Sequence, residues 1–270
     1  MAQRSLTPEE RQRYARHLAL AEVGPAGQQK LLRARVLIVG VGALGSPVAL
    51  YLAASGIGTI GLADHDHVRL SNLQRQIIHT MEGVNRSKVD GAARTVSALN
   101  PDIKVETIEA TVDERNAIDL LDRYDVIVDG TDSFRARYLL SDAAYLRRKP
   151  LVHGSIFRIE GQVTVFVPGR GCYRCLYPQP PPAGAIEESE NVGVFAALPG
   201  IIGTIQAAET IKLVTGVGDG LVNRVLLHDT MAMTFREVRY RRNRACPVCG
   251  DHPTVQTLVD YDSFVMEART

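Results

Sequence analysis

Residues 36–63 read VLIVGVGALGSPVALYLAASGIGTIGLA and carry no charge. A run that long and apolar has two solutions, a bilayer span or the buried centre of a parallel sheet. Six glycines and Pro47 decide for the sheet. They cut the run into a strand (35–39), a turn, a helix (43–54), a second turn and a strand (58–63), each too short to cross a membrane. The first turn, GVGALG at 40–45, has the G-x-G-x-x-G form that opens a nucleotide-binding βα unit. Its glycines allow a tight turn and bring phosphates close to a helix N-terminus.

The alternation continues along the chain. A helical stretch at 85–100, the strand-like IKVETIEA, the helical ERNAIDLLDRY, the buried strand DVIVDG, a helix over 134–147 and the strand PLVHGS follow in order. This β-α-β repetition to about residue 155 predicts a doubly wound parallel sheet. Beyond it, GQVTVFVP, NRVLLHD and MTFREVRY alternate as antiparallel strands do. Between them lie a Pro-rich loop at 177–193 and a long apolar helix at about 199–214. Upstream, LTPEERQRYARHLAL reads as a helix start, with Thr7 as N-cap and Pro8 in the first turn, and a short helix is expected over 25–33. The expected fold is α/β: a Rossmann-like doubly wound parallel sheet continued by antiparallel strands. One domain over 1–270 is expected, with N-terminal helices (1–33), a nucleotide-binding half (34–155), an antiparallel half (156–250) and a tail (251–270). A net charge of +1 gives no footprint for nucleic acid or an anionic membrane. The charged start, MAQRSLTPEERQRYARHL, lacks the apolar core of a secretory signal, so a cytoplasmic location is expected.

The four cysteines form two pairs, CYRC (172–175) and CPVC (246–249). Cys172, Cys175, Cys246 and Cys249 together supply four thiolates, the donor set of a closed tetrahedral zinc site. The pairs are about 70 residues apart, so such a metal would tie distant segments together. Redox thiols or unlinked buried cysteines are the alternatives, although a redox site needs only one pair.

The glycine turn alone does not choose between NAD and ATP. Asp64, closing the second strand, suits a ribose in either case. Asn72, Gln74 and Arg75 follow in SNLQR, and Lys88 opens the next helix. Two cations there suit a triphosphate tail; hydride transfer has little use for them. Taken singly, each could be a solvated surface charge. DGTDS (129–133) ends another parallel strand, where ligands collect. Asp132 is a candidate magnesium ligand, or else Asp132 or Ser133 caps the following helix.

RYARH, GVGALGSP, LADHDHVRLSNLQRQIIH, SKV, DGTDS, GQVTVF, CYRCLYP, LPGIIGTIQAAETIKL and CPVCG occur in this order between residues 13 and 250. Together they resemble the ThiF/MoeB/HesA family, bacterial relatives of ubiquitin-activating enzymes. The resemblance implies adenylation: the C-terminal glycine carboxylate of a small ubiquitin-like sulfur-carrier protein attacks the α-phosphate of ATP with magnesium, and pyrophosphate leaves. It implies that Gly42 admits the nucleotide, that Asp64 holds the ribose, that Asn72, Arg75 and Lys88 hold phosphates, and that Asp132 binds magnesium. Gly40, Gly45, Asp66, Ser71, Gln74 and Ser133 complete the candidate nucleotide contacts. Arg16 resembles an arginine inserted into the partner subunit's site, which implies a catalytic homodimer. The closing LVDYDSF resembles the family's linker.

The chain departs from the family at one point. Many relatives carry a cysteine in the loop before the long helix, where this chain has Ser189. A serine hydroxyl forms no persulfide or acyl-disulfide. The expectation is therefore an acyl-adenylate product without a covalent carrier intermediate, with sulfur supplied by a separate donor. Two other readings stand beside this one. The first is an NAD-dependent oxidoreductase, with His153 as its best proton-transfer candidate, although a strand-end histidine more often belongs to the core or the surface; the second is a non-catalytic, zinc-stabilised dimeric scaffold.

Overall fold

The computed structural model describes residues 5–181 and 192–267. Ser189 lies outside the described residues. Eight strands form one sheet: β1 (Arg35–Val39), β2 (Thr59–Ala63), β3 (Lys104–Ile108), β4 (Val126–Asp129), β5 (Leu151–Phe157), β6 (Glu160–Phe166), β7 (Arg224–Asp229) and β8 (Thr234–Arg239). Their spatial order is β3-β2-β1-β4-β5-β6-β7-β8. The first five run parallel and the last three antiparallel, as the patterning predicts. The chain steps outward on one side of β1 and then on the other, so the order reverses between β1 and β4.

Residue parity along the strands assigns two cores. Val36, Ile38, Ile60, Leu62, Val126, Val128, Val152, Val163 and Val165 face one way. They are covered by α3 (Gly24–Arg33), α4 (Gly45–Ser55), α5 (Lys88–Leu99) and the long α9 (Leu198–Thr215). Leu37, Val39, Ile127, Leu151 and Phe166 face the other way. That side is closed by α6 (Ala117–Asp122), α7 (Phe134–Leu146), α8 (Tyr173–Leu176) and α10 (Tyr261–Glu267). Among the described residues no helix is long and apolar enough to cross a membrane.

Two local expectations are corrected. The N-terminal helix is two, α1 (Pro8–Arg13) and α2 (Ala15–Ala19), broken at Tyr14. The Thr7–Glu10 capping box forms as expected. Tyr14 leaves the helical path because its ring is buried and its hydroxyl accepts a 2.9 Å hydrogen bond from Asn100 Nδ2. The segment expected as a linker also folds back as α10. Tyr261 is fully buried there and donates its hydroxyl to Asp142 at 2.8 Å.

Candidate nucleotide cleft and four-cysteine centre

A cleft of about 2180 Å³ opens where the strand order reverses, at the carboxyl ends of β1 and β4. That is where an open parallel sheet binds ligands, because the flanking loops diverge there. Gly40 ends β1 with φ +87°, and a Cβ on it would lie 2.7 Å from the Gly130 carbonyl oxygen after β4. A Cβ on Gly45 would lie 2.1 Å from the Gly40 carbonyl oxygen. The turn is thus close-packed at both glycines, whereas Gly42 faces the Gln76 side chain and lines the cleft.

Asp64 accepts the backbone N–H of Val41 at 2.8 Å and of Asp66 at 2.9 Å, which joins the ends of β1 and β2 across the turn. The largely buried Lys88 donates to Asp66 at 2.8 Å. Partial burial opposes ionisation of Asp66, but the hydrogen bond and charge of Lys88 outweigh it and hold the carboxyl below its ordinary range. Asn72 stands in a one-turn helix, accepting the Arg69 N–H at 3.1 Å. Arg75 reaches only the Ser71 carbonyl, at 3.4 Å, and pairs with no carboxylate among the described residues. Gln74 donates to the Val194 carbonyl at 3.2 Å.

On the β4 side Ser133 caps α7, its hydroxyl accepting the Ala136 N–H at 3.2 Å. That settles the capping alternative and leaves Asp132 exposed in the cleft, without a hydrogen bond or ion pair to any described residue. Its free carboxylate oxygens fit a hard cation. Asp129 and His153 lie behind it, both fully buried, with His153 Nδ1 2.7 Å from Asp129 Oδ2. Burial would raise the Asp129 carboxyl, but the His153 contact brings it below its ordinary range. His153 does not line the cleft, so the proton-transfer role considered for it is not supported; the pair belongs to the core.

Gly40, Gly42, Asp64, Asp66, Ser71, Asn72, Gln74, Arg75, Lys88, Asp132 and Ser133 line this one cleft, with Gly45 packed beneath its floor. Arg16 is the exception: it is exposed on α2 and does not line the cleft. Sequence reading also misses residues that do. Arg137 is buried in the wall, and Gln162 and Tyr177 are hydrogen-bonded to one another at 2.8 Å. Arg135 bridges Glu114 and Asp262, both at 2.9 Å, and so ties α10 to the rim. The sequence signal for the two arginines is their spacing of two in DSFRAR, which does not reveal which of them turns inward.

The four cysteines converge outside the sheet, the first pair flanking Tyr173, which itself lines the cleft. All four sulfur atoms lie within 4.8 Å of one another, with Cys172–Cys246 at 3.5 Å and Cys175–Cys249 at 3.2 Å. No pair is a disulfide. Four thiolates about 2.3 Å from one zinc are about 3.8 Å apart, so the cluster fits that ion with small adjustments. The Asn243 N–H points at Cys175 Sγ at 3.2 Å, as in a thiolate knuckle. Arg174, inside the first knuckle, pairs with buried Asp142 at 2.8 Å, and its guanidinium lies 4.2 Å from the centroid of the Phe264 ring. The cluster is thereby coupled to α7 and α10.

Comparison with known proteins agrees with this geometry. The ThiF family model matches residues 14–248. The sulfur carrier protein adenylyltransferase of Thermus thermophilus is 46% identical over 264 residues, covering 96% of this chain and 97% of that one. The SAMP-activating enzyme E1 of Haloferax volcanii is 47% identical over 258 residues, covering 96% and 95%. Among solved structures, E. coli MccB with MccA-N7isoASN superposes with a TM-score of 0.80 at 23% identity, covering 89% of this chain and 74% of that one; this likeness speaks to the fold alone. The chain belongs to the ThiF family.

Proposed function

We propose that this protein adenylates the C-terminal glycine of a small ubiquitin-like sulfur-carrier protein, using ATP. The observation that carries the reading is the convergence of the glycine turn, Asp64, Asn72, Arg75, Lys88 and Asp132 at the switch point of the sheet. The full-length match to a sulfur carrier protein adenylyltransferase supports it.

Gly42 lets the nucleotide approach the backbone, and Asp64, already fixed by two N–H donors, orients the ribose. Arg75, Asn72 and Lys88 take the phosphates. Lys88 exchanges its contact with Asp66 for a phosphate oxygen, and Asp66 borders the nucleotide beside it. Ser71, Gln74 and Ser133 border the nucleotide. Asp132 is the residue that would hold magnesium, which when bound neutralises phosphate charge. The attacking carboxylate is already ionised at neutral pH, so no side-chain base is needed. Position and cationic charge lower the barrier.

Arg16 enters the site of a second protomer; its place outside the cleft of its own chain supports a role in trans. Residues 1–270 work as one adenylation domain, held together by zinc on Cys172, Cys175, Cys246 and Cys249. These are all the cysteines of the chain, which supports a free acyl-adenylate product and a separate sulfur donor. The carrier docks at the β7–β8 hairpin, where Met231, Met233, Phe235 and Val238 are exposed beside the cleft residues Thr234 and Arg236.

Exchange of labelled pyrophosphate into ATP tests the reading. It is expected only when a carrier with a free Gly-Gly end is present. NAD turnover without such exchange would overturn it.

A further inference from the structure

Arg137 is the fourth residue of α7 and is only 8% exposed, yet it lines the cleft. Its Nε is buried and has no hydrogen-bond partner. No carboxylate pairs with it among the described residues; its guanidinium hydrogen-bonds the Tyr173 side chain and lies 5.1 Å from the Phe134 ring centroid. The nearby acid, Asp129, is already engaged. One oxygen faces His153 at 2.7 Å, and the other accepts the Thr131 N–H and hydroxyl at 2.9 and 2.7 Å. A buried guanidinium with an unused donor is costly unless an anion completes it.

The position of Arg137 says which anion. Arg75 and Lys88 stand on the β2 side of the switch point, with the glycine turn and Asp64. Arg137 stands across it, on α7, beside the wall made by Tyr177, Gln162 and Ser155. In that wall the Tyr177 hydroxyl donates to Gln162 Oε1 at 2.8 Å, and Gln162 Nε2 donates to Ser155 Oγ at 2.9 Å. This half of the cleft continues towards β7 and β8, away from the nucleotide half.

We propose that Arg137 is the receptor for the terminal carboxylate of the carrier's tail, held as the substrate that meets the α-phosphate. The proposal rests on the adenylation reading. One carboxylate oxygen forms the bond to the α-phosphorus. The bond from that phosphorus to the bridging oxygen breaks, and its electron pair leaves with pyrophosphate; no proton moves. Two anions must approach for this to happen. A guanidinium on the carboxylate offsets their repulsion, and its planar fork fixes the orientation of the attacking oxygen.

The test is equilibrium binding by calorimetry, without ATP, of a Gly-Gly-ended carrier and of the same carrier with a C-terminal amide. The wild type is expected to prefer the carboxylate by about 10- to 100-fold, the range of a hydrogen bond to a charged group. Arg137→Gln abolishes the preference while nucleotide binding, read separately, is unchanged. Arg137→Lys keeps the charge but not the fork and retains only part of the preference. A full wild-type preference in the Gln variant overturns the proposal, and if that variant does not fold, a full preference in the Lys variant does so. Absence of both carrier binding and carrier-dependent exchange in the wild type overturns the adenylation reading, and this proposal with it. Exchange in the wild type with the preference intact in the variants overturns the proposal alone.

Discussion

Removal of metal from the four-cysteine cluster gives the most quantitative prediction. The cluster joins α8 to residues 246–249, and through Arg174, Asp142 and Tyr261 it reaches α7 and α10. Structural zinc binds four-ligand peptides with an apparent ~10–16 kcal/mol. At about 10 µM zinc this corresponds to a stabilisation of roughly 3–9 kcal/mol, since only affinity in excess of the free concentration counts. For 270 residues at about 2.1 cal/mol/K each, the unfolding entropy is near ~0.6 kcal/mol/K. Tm should therefore fall by about 5–16 °C when the ion is withdrawn. The assay is calorimetric melting of the zinc-loaded protein and of protein stripped by a chelator under reducing conditions, with metal measured in each sample. Readdition of zinc should restore the higher Tm. A stripped protein with no bound metal that melts within about 2 °C of the loaded one refutes the reasoning, because the predicted shift is well above that. Cys172→Ser should lower zinc content and Tm together.

Asp132→Ala should reduce carrier-dependent pyrophosphate exchange by at least about 100-fold with Tm unchanged, since the exposed carboxylate supports no described contact. Arg16→Ala and Lys88→Ala should each be inactive, yet mixing and reassociating the two should recover activity from dimers with one intact site; no recovery contradicts a role in trans. Glu106 gives a pH prediction. Burial is the largest single influence and raises its pKa, but the hydrogen bonds from Lys104, Tyr124 and Arg35 together outweigh it and bring the carboxyl down to about 2. A depressed folded-state pKa contributes stability above the ordinary carboxyl value and loses it as pH falls from about 4.5 towards 2. Denaturant melts of Glu106→Gln should therefore lose less stability than the wild type across that window; equal slopes would contradict the assignment.

The sheet was legible because its strands are apolar runs bounded by Gly, Pro and Asn, signals that act locally. The same holds for the glycine turn and the Thr7 cap. The cysteine pairs were legible as a candidate set because two C-x-x-C knuckles offer the four donors of one tetrahedral site, and the structure brings all four together. What escaped depends on partners distant in sequence. Tyr14 breaks a helix because Asn100 holds its hydroxyl, 86 residues away. LVDYDSF folds back because Tyr261 finds Asp142, 119 residues away. Arg135 and Arg137 share one short motif, yet one bridges the rim and the other is buried; only packing around α7 separates them. His153 sits at a strand end and pairs through Nδ1 with Asp129 inside the core, one of the two readings its position allowed, while its Nε2 is buried without a partner.

The mass of the carrier after incubation with this protein, ATP and magnesium tests the central claim most directly. A carrier heavier by one AMP, with no covalent carrier–enzyme adduct after denaturation, is the predicted result. A carrier of unchanged mass under conditions where ATP is bound, or an adduct that survives denaturation, would contradict it.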